Sequence, residues 1–153
     1  MLIDLTGPTV VGIILAATLS QARSQPDNAA EWKLAAAGPL SVAKIDLNHD
    51  GLAEQAIRDP CGNSNCGFLI RDGRTGRPVA DFGASIVGFR RVHVNGWPVI
   101  HTYYHHSAGE GTLEVWVFDR TKYVRVITLP LAGADLGRAV AELDRLPLGP
   151  PKR

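Results

Sequence analysis

The segment Asp46-Leu-Asn48-His-Asp50-Gly51-Leu52-Ala53-Glu54 packs three carboxylates and one amide into a short stretch. In a tight loop the side chains at positions one, three and five converge on one point, here Asp46, Asn48 and Asp50. Gly51 permits the positive-φ turn that wraps backbone around an ion. The Leu52 carbonyl and the Glu54 carboxylate would add oxygens toward the shell of hard donors that calcium prefers. Without a cation, carboxylates this close repel one another. The chemistry expected here is calcium binding; the plainer reading is an Asx-rich turn that binds nothing. An EF-hand does not fit, because its twelfth position needs a bidentate Glu and Ile57 stands there. The flanks also carry strand patterns instead of helical ones.

A second group of chemical side chains is Val99-Ile-His101-Thr-Tyr103-Tyr104-His105-His106-Ser107. On a strand, His101, Tyr103 and His105 share one face, and Thr102, Tyr104 and His106 share the other. His101 and His105 would stand roughly 13 Å apart at ~3.3 Å per residue, too far to share one zinc on a straight strand. A secreted metal-dependent hydrolase using His101, His105, His106 and Glu110 is the alternative function. The plainer reading is a partly exposed aromatic face that packs or binds, since Tyr and His offer both apolar area and hydrogen bonds.

Cys61-Gly-Asn-Ser-Asn-Cys66 is rich in turn formers that let the chain reverse between two sulfurs. A structural disulfide is expected, with free thiols as the alternative. The spacing is not that of a thioredoxin-like redox pair, and no second cysteine pair completes a zinc site. The chain has no Gly-x-Ser-x-Gly elbow, no phosphate-binding Gly-rich loop and no His-Glu-x-x-His motif.

Lys44-Ile-Asp-Leu-Asn-His-Asp-Gly-Leu-Ala-Glu54 resembles the loop of FG-GAP and VCBS-type repeats, the calcium-binding blades of integrin-α-like propellers. There an Asp-x-Asn-x-Asp-Gly-x-x-Asp/Glu segment joins two strands of a blade. The resemblance covers about fifteen residues. It implies calcium ligands at Asp46, Asn48, Asp50, Leu52 (through its carbonyl) and Glu54. Similar loops occur in small secreted bacterial proteins, which the chain also resembles in layout.

Elements must hold these groups in place. From position 40 the pattern has period two, and further strands are expected at 54–58, 67–71, 78–82, 85–89, 91–94, 98–105, 112–118 and 123–129. Asn95-Gly96 is a strong hairpin signal. Ile45-Asp-Leu-Asn48 and Val92-His-Val-Asn95 form a weak internal repeat, each ending one strand before a Gly turn and another strand. The β domain at 40–130 therefore reads as two related units, about 40–83 and 84–130. Two units are too few to close a propeller. The fold expected is all-β: an antiparallel meander or two-sheet sandwich of two blade-like four-stranded units, with short terminal helices. The capping box Asn28-Ala-Ala-Glu31 predicts a helix running on through Trp32 within an N-terminal helix and linker at 23–39. A C-terminal helix and tail occupy 131–153, with Asp135 as cap and Leu136, Val140 and Leu143 on one face.

The chain has 153 residues, 45% of them hydrophobic and 20% charged, which suits one globular domain and not a disordered chain. Sixteen Gly and ten Pro suit many turns. A net charge of +1 gives no drive toward nucleic acid. The apolar run 10–19 is too short for a stable membrane span, and Ser20-Gln21-Ala22 offers small residues for signal cleavage, so 1–22 read as a signal peptide. Against this, the first nine residues hold Asp4 and no Lys or Arg, and the alternative is a buried N-terminal helix or an uncleaved anchor. A disulfide and a leader both point to a periplasmic or secreted location. The expected role is binding or structural, toward a protein or cell-envelope component; an envelope inhibitor or immunity-type protein is a further alternative.

Overall fold

A computed structural model describes residues 31–34, 41–62 and 64–147. The expected leader, the start of the N-terminal helix and the Pro-rich tail lie outside the described residues. The described residues form an all-β two-sheet sandwich with one helix. Its strands are β1 (Trp32–Leu34), β2 (Ser41–Ile45), β3 (Glu54–Arg58), β4 (Cys66–Arg71), β5 (Pro78–Ala84), β6 (Ile86–Val94), β7 (Trp97–Ser107), β8 (Glu110–Phe118) and β9 (Tyr123–Ala132). Helix α1 (Gly133–Asp144) follows.

One sheet runs β2-β3-β4-β5 and the other β1-β6-β7-β8-β9, with antiparallel pairing throughout. Within each sheet the consecutive strands form a meander, which short turns allow. At Asn95-Gly96 both residues take positive φ (52° and 85°), and Val94 pairs with Trp97. This is the two-residue turn whose twist matches the flanking strands. The expected strands 85–89 and 91–94 are one strand, β6, whose register shifts between Phe89 and His93.

Burial follows what covers each strand. β3 and β4 alternate, with Ala56, Phe68 and Ile70 turned inward. The first four residues of β7 are all buried, with Trp97 and Ile100 in the core between the sheets. Phe68, Phe82, Phe89, Ile100 and Phe118 contribute to the core between the sheets. Ile86, Tyr103 and Leu131 meet Leu136 and Leu143 in a second core under the helix.

Two local expectations are corrected. Trp32-Lys-Leu34 is a strand paired with β6, not helix. The Trp32 ring stacks on Phe89 at 4.0 Å and is almost fully buried, and that burial outweighs the local capping signal. Asp135 is not the cap of α1. The N-cap is Ala132, and Asp135 lies in the first turn, paired with Arg138. Gly133, at φ 55°, makes the change of direction out of β9.

Candidate functional site

The loop between β2 and β3 is built on its own side chains. Asp50 N–H donates to Asp46 Oδ1 (3.1 Å) and to Asn48 Oδ1 (2.9 Å). Gly51 N–H donates to Asp46 Oδ2 (3.1 Å), and Leu52 N–H to Asp50 Oδ1 (2.9 Å). These are Asx turns in series, with His49 (φ 58°) and Gly51 (φ 88°) in the left-handed region. Buried Leu47 anchors the loop to the core. The Leu52 N–H, with further help from Arg74 at 3.3 Å, holds the Asp50 carboxyl below its ordinary pKa.

Glu54 stands apart from the other acidic side chains. It is fully buried, and its oxygens accept Leu47 N–H at 2.6 Å and Gly73 N–H at 3.4 Å. Burial pushes its pKa up, against the pull of those two amides. Glu54 thus ties the ion-type loop to the turn between β4 and β5. Gly73 is required there, because a Cβ would lie 2.5 Å from the Ala53 carbonyl oxygen. Burial, and next the Glu54 carboxylate, push the Tyr123 phenol well above its ordinary value. Tyr123 donates to the Pro98 carbonyl at 2.9 Å.

The structure therefore brings the oxygens of Asp46 and Asn48 onto one amide and sets Asp50 beside them, while Glu54 faces inward. Every side-chain donor here is oxygen, which matches calcium chemically. Among the described residues, no group of three or more His, Cys, Asp and Glu side chains is placed to hold a metal ion. A calcium ion would accordingly depend on Asn48 and backbone carbonyls as well as on carboxylates.

The loop has a neighbour that the sequence pattern did not single out. The His49 ring lies 5.6 Å from the His93 ring on β6, centroid to centroid. His93 Nδ1 is 2.8 Å from the Arg91 carbonyl oxygen. Burial, with a smaller effect of His49, lowers the His93 pKa. The two histidines are far apart in sequence. The internal repeat aligns the chain near both, and it was the available signal.

The β7 histidines are not gathered. His105 lies with Tyr103, its Nδ1 3.4 Å from the phenol oxygen, on the face that carries Tyr103 into the helix core. His106 points the other way, beside Tyr104, and its Nε2 is 2.8 Å from Thr112 Oγ1. His101 is half-buried on the same face as His105, and burial, then the nearby Arg90, lowers its pKa. Glu110 is exposed at the start of β8.

Cys61 and Cys66 form a disulfide with Cα atoms 4.1 Å apart. The loop that they close positions Asn65. Its Oδ1 accepts His105 N–H and its Nδ2 donates to the His105 carbonyl, both at 2.9 Å. The disulfide loop thereby holds the first sheet against β7, a role that composition alone did not reveal. No described helix is long and apolar enough to cross a membrane. The chain matches no protein family, no curated protein and no solved structure.

Proposed function

We propose that this chain is an exported β module whose loop 46–54 takes a calcium ion and whose role is binding or structural. The observation that carries the reading is the convergence of Asp46 and Asn48 oxygens on the Asp50 amide. That arrangement gathers hard donors at a turn already shaped by His49 and Gly51. Asp46, Asn48 and Asp50 would hold the ion, with the Leu52 carbonyl as a backbone donor. Glu54 secures the loop from beneath. The disulfide supports an oxidising compartment, hence a periplasmic or secreted location. A recognition role toward a protein or envelope component draws support from β9, an edge strand with exposed Val126, Ile127 and Leu129.

Thermal melting with and without calcium tests the ion. An ion that binds only the folded state at a hundred times its dissociation constant adds about 2.7 kcal/mol. For a chain of this size that is a rise of about 8 °C in Tm. Asp46→Asn should remove most of the rise. An unchanged melting curve at millimolar calcium overturns the reading.

A further inference from the structure

We propose that His49, which stands within the calcium-type loop, and His93 on β6 form a binding site for one divalent transition metal of the zinc, copper or nickel type, using donors other than the loop's oxygens. Imidazole nitrogen suits these metals, whereas calcium takes oxygen. Three observations carry the assignment.

The first is distance. Zinc binds imidazole nitrogen at about 2.0–2.1 Å, and the ring centre lies about 1.2 Å further on, so two imidazoles on one tetrahedral zinc have centroids about 5.3 Å apart. The His49 and His93 centroids are 5.6 Å apart, with ring planes inclined by 38°. The observed separation exceeds that value by only about 0.3 Å.

The second is orientation. A carbonyl oxygen can only accept, so His93 Nδ1, 2.8 Å from Arg91 O, carries the ring proton. In the neutral ring Nε2 then holds the free lone pair. A backbone carbonyl that fixes the tautomer in this way is the usual outer partner of a metal-bound histidine. Burial favours the neutral ring.

The third is backbone conformation. His49 sits at φ 58°, where glycine would be unstrained. The left-handed turn at this position sets an exposed imidazole against the second one. Water would fill the remaining coordination positions, since the described residues supply no third His, Cys, Asp or Glu ligand.

The test is a zinc titration of the untagged full chain by isothermal calorimetry, run with and without millimolar calcium. One zinc per chain is expected, bound equally well in both conditions. His49→Gly suits the backbone and should leave the fold intact by circular dichroism while weakening zinc at least tenfold. His93→Gln should do the same, and His106→Gln should change nothing. In ring-nitrogen NMR spectra of the wild type, zinc should shift two histidines only. No zinc binding, zinc that calcium displaces, or affinity retained in H49G or H93Q would each overturn the proposal. Failure of calcium to raise Tm, with the zinc site intact, removes only the calcium reading.

Discussion

Gly73→Ala tests whether the ion-type loop is held from below by the turn between β4 and β5. The added Cβ would stand 2.5 Å from Ala53 O and 2.8 Å from Ala53 C, both backbone atoms. Neither can swing aside as the end of a side chain could. The φ of Gly73 lies outside the left-handed region, so the substitution introduces a collision without torsional strain. Overpacking of this kind costs about 1–3 kcal/mol. Relief by movement of the turn pulls Gly73 N–H off the buried Glu54 carboxylate, and a hydrogen bond to a charged group contributes about 1.5–3 kcal/mol. At 3.4 Å that bond is long, so its share belongs at the low end. Together the change should cost about 3 kcal/mol, or about 9 °C in Tm.

Gly76→Ala is the control in the same turn. Gly76 has φ 69°, and beyond its two chain neighbours nothing lies within 4 Å of where its methyl group would stand, so only torsional strain arises. That strain is about 1 kcal/mol, or about 3 °C. Urea and thermal melts of both variants give the comparison. A Gly73→Ala protein within about 1 °C of the wild type, or a larger loss for Gly76→Ala, would refute the proposed support of the loop.

Three further outcomes rest on the same geometry. Replacing both Cys61 and Cys66 by Ala should lower stability by about 2 kcal/mol through the freed loop, read as a urea midpoint shift that dithiothreitol reproduces in the wild type. Asp119 accepts Thr121 Oγ1–H and then the Lys122 and Thr121 amides, which hold its pKa at about 2 against the ordinary 3.8. A depressed value means that its contribution to stability is complete above the unfolded value and fades as the pH falls from about 4 through about 2. A carboxyl NMR titration should therefore place the Asp119 half-point at about 2, and a half-point near 3.8 would contradict these bonds. Calcium should raise Tm by several degrees in the wild type and barely in Asp46→Asn, as the loop reading requires.

The sheets were legible because burial on one face writes itself into the sequence at period two. Asn95-Gly96 named its turn because only such a pair takes two positive φ values cheaply. Where local and tertiary signals conflicted, tertiary packing prevailed. The capping box before Trp32 is genuine helix vocabulary, yet the stack of Trp32 on Phe89 gives more than a short helix could. Glu54 shows a different limit. A carboxylate beside a calcium-type loop reads as a ligand, and only strand parity argues otherwise: Glu54 shares the inward face with Ala56 and Arg58.

The histidine pair was hidden for a third reason. Sequence spacing says nothing of how two units stack, so residues in different sheets cannot be paired from pattern alone. The repeat contains the clue in part. It aligns Asp46 with His93, and the chain turns back just after both positions. The loop after Asp46 reaches β6 in the folded chain, where His49 meets His93. One turn kept acidic residues and the other an Asn-Gly hairpin. Oxygen donors and two imidazoles consequently lie side by side, and the two proposed sites would separate hard from borderline cations by donor type.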